Sequence, residues 1–272
     1  MDRREAILRE LNLYPQWKRR DAPAPAPLAA EPDAAIKQEA PVPATAAGSM
    51  QKADIPTLAV QQHAKAEAIQ APAVTPHSDV AGLDWSALKQ RVSACSACKL
   101  RAGCTQTVFG VGDEHADWLF VGEGPGADED ALGEPFVGQA GKLLDNMLIA
   151  IKLKRGNNVY IANIVKCRPP GNRNPDAEEI AACLPYLQRQ IELLQPKMIV
   201  ALGKVASNAL LGRDATLASL RGKLHDYRGI PLIVTYHPAY LLRSPSEKAK
   251  AWQDLCVAQN KMHESEQPTE KK

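Results

Sequence analysis

Four short apolar runs separated by helical patterns constrain this chain more than any other feature. They are "DWLFVGE" (117–123), "NVYIANIVK" (158–166), "KMIVALG" (197–203) and "IPLIVTYH" (230–237). Their length and β-branched content read as strands buried on both faces. Helical periods alternate with them. Residues 141–151 place Leu143, Leu144, Met147, Leu148 and Ile151 on one face, residues 176–194 carry acids in their first turn, and residues 204–211 follow the third run directly. Alternating strands and helices predict an α/β fold: a mostly parallel central sheet of about four strands with helices on both faces. Ligands of such sheets bind beyond the carboxyl ends of the strands. Glu123-Gly-Pro-Gly, Asn163, Gly203 and His237 are therefore where chemistry is expected.

Composition divides the rest. Residues 1–20 are charged and periodic, with Ile7, Leu8, Leu11, Leu13 and then Trp17, and read as a short amphipathic helix. Residues 21–82 are rich in Ala, Pro and Gln with no period, so they are expected to be a disordered linker. A flexible chain of that length spans roughly 45 Å root-mean-square. The folded domain is expected over 83–261, with 262–272 as a tail. The net charge of +2 neither requires nor excludes a polyanionic partner. No run is long and apolar enough for a membrane span, and the start of the chain lacks the apolar region of a signal peptide. The cytoplasm is the expected compartment, and there six cysteines point to metal or catalysis rather than to disulfides.

Cys95 and Cys98 form a C-x2-C pair, while Cys167 and Cys183 stand sixteen positions apart further on. Four thiolates suit an iron–sulfur cluster or a structural zinc. The unpaired second half is less like a zinc ribbon, but spacing alone leaves both open. Cys104 could replace one of the four, and Cys256 reads as an inert buried thiol.

The segment "VGEGPGADEDALGEPFVGQAGKLLDNML" (121–148) carries glycines directly after a strand, where backbone amides can approach a ligand. It lacks the Gly-Lys-Ser/Thr of a Walker loop. Together with "YIANIVKCRPPGNRNP", "ALGKVA", "RGK" and "HPAYLLR", in that order, it resembles the family 4 uracil-DNA glycosylases, the iron–sulfur branch of the uracil-DNA glycosylase superfamily. The resemblance covers roughly residues 85–260. It implies excision of uracil from DNA in base excision repair, a [4Fe-4S] cluster on Cys95, Cys98, Cys167 and Cys183 with Cys104 outside the set, and a monomer acting on uracil-containing DNA.

The resemblance also implies roles that residue chemistry supports. The target base must leave the helix to be reached. Phe136 resembles the ring on which it stacks, and Asn163 can accept from uracil N3–H and donate to O4, a pattern cytosine reverses. Glu129 occupies the position of the wall that excludes the thymine methyl, and Gly124, Gly126 and Gly138 offer close backbone contacts. His237 resembles the donor to uracil O2, where negative charge develops as the glycosidic bond breaks. The Asp that serves the water in the best-known family of this superfamily is missing here, where Gly124 stands, so Glu123 is the candidate for orienting water. Leu241 is expected as the wedge filling the gap left by the flipped base, and Arg243 as a phosphate contact. Arg168, Arg173 and Lys166 are expected to form a phosphate track. One subgroup of the superfamily bonds covalently to DNA through an inserted basic loop. "CRPPGNRNP" lacks that insertion, so ordinary turnover is predicted. A non-catalytic nucleic-acid module of the same fold, and a glycosylase accepting other deaminated bases such as hypoxanthine, are the alternatives.

Residues 1–20 look like the N-terminal peptide of the DNA polymerase III psi subunit, with a short Leu-rich helix, then Gln-Trp and a basic pair. A replication-machinery protein is the partner this likeness implies.

Overall fold

The computed structural model of the chain describes residues 80–266. The expected helix at 1–20 and nearly all of the expected linker lie outside the described residues, as do residues 267–272. Val80 is already buried in the core, three residues before the expected start of the domain.

The elements in chain order begin with α1 (Trp85–Ser93), β1 (Val111–Gly112), β2 (Trp118–Gly122), α2 (Ala127–Leu132), α3 (Gln139–Ala150) and β3 (Val159–Asn163). They continue with α4 (Ala177–Leu194), β4 (Met198–Leu202), α5 (Lys204–Leu211), α6 (Leu217–Leu220), β5 (Leu224–Tyr227), β6 (Ile230–Thr235), α7 (Pro238–Arg243) and α8 (Lys248–Glu266). The sheet order is β1-β3-β2-β4-β6-β5. The four expected strands are its parallel centre, and two short edge strands, β1 and β5, pair antiparallel to it. Neither edge carries an apolar run, because an edge strand needs burial on fewer sides. α8 runs to Glu266 with Met262 buried, past the boundary expected at 261.

Alternation within each central strand serves two cores. Leu119 and Val121 of β2, with Ile199 and Ala201 of β4, face a cluster that includes Leu88 of α1 and Tyr186 and Leu187 of α4. Trp118 and Phe120, with Met198 and Val200, face a second cluster with Leu144 and Leu148 of α3 and Leu255 of α8. The result is three layers, with helices against both faces of the sheet. No helix among the described residues is long and apolar enough to cross a membrane.

From β2 the chain crosses to β3 on one side. From β4 it crosses to β6 on the other. β2 and β4 are neighbours, so the switch point of the sheet lies between their carboxyl ends, where the strand connections diverge and leave a crevice.

Candidate active site

The crevice holds a cavity of about 390 Å3. Glu123 and Gly124 reach it from the end of β2, Asn163 from the end of β3 and His237 from just past β6. Gly126, Glu129, Phe136, Arg173 and Arg243 also line it. Nine expected site residues thus meet in one place. Gly138, Arg168 and Leu241 lie outside the lining.

Asn163 is the last residue of β3 and pairs in register with Gly122 of β2. Its side chain is 2% exposed, and its Oδ1 is buried without a hydrogen-bond partner. A buried acceptor left open costs about 1–3 kcal/mol, so this atom is poised for a donor in the cavity. The backbone carbonyl of the same residue is fixed by Lys166, whose Nζ donates to it at 3.0 Å and to Gln190 Oε1 at 2.6 Å. Lys166 is therefore not part of a phosphate track. It is 1% exposed, and burial holds its ammonium down to about 8. Its long stem reaches inward because two buried oxygens need a donor there.

His237 is the N-cap of α7, with Pro238 at the first helical position. Its Nδ1 accepts the Ala239 N–H at 3.2 Å. Nδ1 must be unprotonated to do so, which leaves Nε2–H as the donor of a neutral ring. Burial, reinforced by the nearby Arg243 charge, holds the imidazole down to about 4. Helix capping and burial therefore select one tautomer. The Phe136 ring lies 5.4 Å from the imidazole, tilted by 30°.

Phe136 has a positive φ of 56°, unusual for a bulky residue. Arg155 holds it there: Nη2 donates to the Phe136 carbonyl at 2.8 Å, Nη1 to that of Pro135 at 2.9 Å, and Nε to Asp145. Nothing in the sequence marks Arg155, nineteen positions away, for this role. Gly122 was also not singled out. A Cβ there would come within 2.4 Å of Asn163 Oδ1 and 2.5 Å of the Phe136 ring. A glycine closing an otherwise apolar strand was the available signal.

Glu129 takes three backbone N–H groups: Gly126 on Oε2 at 3.0 Å, and Val137 and Gly138 on Oε1 at 2.9 and 3.1 Å. The carboxylate thus ties the loop after β2 to the loop carrying Phe136, and Gly138 acts through this bond. Burial raises the Glu123 carboxyl above its ordinary range.

Leu241 is fully buried, so it cannot be a wedge. It is the inward face of a six-residue helix that packs on α3, while its neighbours Tyr240 and Leu242 are exposed. Arg173 spends both terminal nitrogens on Glu179, at 2.7 and 2.9 Å, and holds that buried carboxyl down to about 2. Arg168 donates through Nε to Asn172 Oδ1 at 2.7 Å. Arg243 stands exposed at the cavity rim.

Cys95, Cys98, Cys167 and Cys183 line a second, small cavity between α1 and α4. Cys104 is not among its lining residues, although it lies against Cys167. The Lys166 N–H donates to Cys183 Sγ at 3.2 Å, the Ala97 N–H to Cys95 Sγ at 3.5 Å and the Tyr186 hydroxyl to Cys95 Sγ at 3.2 Å. Among the described residues no three His, Cys, Asp or Glu side chains are grouped to hold one metal ion. Burial raises Cys183 to about 12 and Cys167 further.

The profile of the uracil DNA glycosylase superfamily matches residues 109–256, from the strand preceding the site to the last helix. The chain belongs to that superfamily. Its relatives include a type-4 uracil-DNA glycosylase of Pyrobaculum aerophilum, 42% identical over 183 aligned positions, an alignment covering 64% of this chain and 93% of the relative. The type-4 uracil-DNA glycosylase of Archaeoglobus fulgidus is 43% identical over 57% of this chain and 82% of its own. That of Thermotoga maritima is 44% identical over 60% and 85%.

Proposed function

We propose that the chain is a type-4 uracil-DNA glycosylase, which takes uracil out of DNA, hydrolyses its N-glycosidic bond and leaves an abasic site. The open Oδ1 of Asn163, buried in the cavity with no partner, carries the reading. Uracil presents N3–H to such an acceptor, whereas cytosine presents a lone pair and would leave both atoms unpaired. Phe136, held by Arg155, is the surface on which the base stacks. Glu129, braced by three amides, is the wall beside it that a thymine methyl would strike. His237 donates from Nε2 to uracil O2 as the C–N bond breaks. A neutral donor acts there chiefly in the transition state, when charge collects on that oxygen. The electron pair of the broken bond goes to the uracil ring, water oriented by Glu123 adds its oxygen to the sugar carbon, and the proton that water loses ends on the departing uracil. A binding module without catalysis has no need of a neutral histidine at this point.

The four thiols around the second cavity fit a [4Fe-4S] cluster. They bring four sulfurs to one small cavity, with three hydrogen-bond donors already on two of them. When bound, the cluster would supply a cross-link between the loop at Cys95–Cys98, the segment after β3 that carries Cys167, and α4 through Cys183. A monomer acting in the cytoplasm, where thiols stay reduced, completes this reading. Residues 1–20 serve in this reading as a tether to a replication-machinery protein. Their deletion abolishes pull-down of that protein and leaves activity on naked DNA unchanged.

The test is release of free uracil from a uracil-containing oligonucleotide. Wild type releases it, and His237→Ala is slower by about 100- to 1000-fold, the cost of one such donor. Asn163→Ala loses activity together with discrimination. No release by cluster-loaded wild type refutes the reading. Purified protein is brown and contains iron, and Cys183→Ala loses both. Zinc alone, without visible absorbance, refutes the cluster.

A further inference from the structure

The "RGK" motif at residues 221–223 lies outside the lining of both cavities. Arg221 grips the buried Asp254, with Nε at 3.1 Å and Nη2 at 2.9 Å from the same carboxylate oxygen. Asp254 is itself fixed by the Thr235 hydroxyl at 2.9 Å. Held in this way, the Arg221 guanidinium lies 5.0 Å over the ring of Tyr236. Tyr236 in turn stacks on Tyr240, with ring centroids 5.2 Å apart and planes 17° from parallel. The Tyr236 hydroxyl is anchored on Glu247. The chain of contacts therefore runs from a buried carboxylate, through a cation and one aromatic ring, to a second ring.

That second ring lines the uracil cavity and is 39% exposed. Among the described aromatic residues only Tyr240 and Trp252 are exposed, and Trp252 belongs to a groove elsewhere. The fold has no need of an aromatic ring at this rim, since the buried face of α7 is supplied by Leu241. A flat ring beside a flipped-base cavity, with the exposed cation Arg243 on the same rim, offers what single-stranded or opened DNA presents to proteins: a stacking surface and a phosphate partner. Its restraint by Tyr236 lowers the cost of ordering it on binding.

We propose that Tyr240 is the platform on which the nucleobase next to the excised uracil stacks, with Arg221 and Tyr236 as the positioning residues that hold its ring at the cavity rim. This rests on the glycosylase reading above and adds a second base subsite to it. A π-face is common to all four bases, so the subsite reads the presence of a neighbour and not its identity.

The test compares two oligonucleotides, one with ordinary bases flanking the uracil and one with abasic sites flanking it. On the ordinary substrate Tyr240→Ala lowers kcat/KM by about 5- to 160-fold, which is the 1–3 kcal/mol of one base stack converted at 1.36 kcal/mol per decade. On the abasic-flanked substrate Tyr240→Ala and wild type are equal. Tyr240→Phe, which keeps the ring, matches wild type on both. Tyr236→Leu gives a smaller loss with the same dependence on the flanking base. An equal loss for Tyr240→Ala on both substrates, or no loss on either, overturns the proposal. Failure of wild type to release uracil from either substrate overturns the glycosylase reading instead.

Discussion

Adding one methyl group at Gly122 places the reasoning about the site under direct strain. Gly122 closes β2, its carbonyl accepts the Ile164 N–H at 3.0 Å, and it is paired in register with Asn163. Alanine can keep those backbone bonds, because the glycine has no positive φ. The methyl carbon, however, would stand 2.4 Å from Asn163 Oδ1 and 2.5 and 2.7 Å from two carbons of the Phe136 ring, where ordinary contact begins at 3.4 Å. The neighbours must therefore give way by about 1 Å. Asn163 is held through its carbonyl by Lys166, and Phe136 through its carbonyl by Arg155, so neither backbone is free to follow. Overpacking of this kind costs about 1–3 kcal/mol, which lowers the melting temperature by about 2–12 °C in a domain of this size. The loss in activity is larger than that in stability, since a misplacement of about 1 Å at reacting groups costs on the order of 100-fold. The assay is kcat/KM for uracil release beside a thermal melt, with Gly82→Ala, which meets nothing within 4 Å, as the control. Gly122→Ala at wild-type activity would refute the claim that Asn163 and Phe136 bound the base from this side.

Four further outcomes follow from the same geometry. His237 is held down to about 4 from an ordinary 6.5, so kcat/KM stays level as pH falls through 6.5, and the first decline on the acid side comes from the raised Glu123 carboxyl rather than from the imidazole, as a pH–rate profile of Glu123→Gln beside wild type will show. Between those values the unfolded chain binds a proton that the folded one does not, so stability falls as pH falls through that window, and His237→Asn removes this slope from a pH series of melts. Lys166→Met leaves the Asn163 carbonyl and Gln190 Oε1 without their shared donor, lowering stability by about 1–3 kcal/mol per group in a denaturant titration. Glu129→Gln turns an amide donor toward backbone N–H groups that now meet carboxylate oxygens, so both the melting temperature and kcat/KM fall. A variant unchanged in both would show that the brace is dispensable.

How much of this was legible beforehand depends on the range of each interaction. The four buried strands could be read from apolar runs, and α4 from its acidic start, because burial on both faces and helix capping leave local marks. The edge strands β1 and β5 left none. Asn163 and His237 could be placed by their position at strand ends together with the motifs around them. Leu241 was misplaced for an instructive reason: distance along the chain from His237 says where a residue falls in a helix, but not which side of that helix faces the core. Lys166 was misplaced in the same way, since a lysine is usually a solvated charge and only the packed interior shows two oxygens awaiting it.

By itself the sequence determined the layered α/β architecture, the family, and the four thiols and three strand ends from which the chemistry is drawn. These depend on composition and order within short segments. Only the tertiary structure decided that Arg155 holds Phe136, that Gly122 leaves room for the Asn163 amide, that a helix cap sets the tautomer of His237, and that Tyr240 rather than Leu241 meets the solvent. Each of these depends on contacts between segments remote in sequence or on the side a helix turns outward. Both arise only when the layers close.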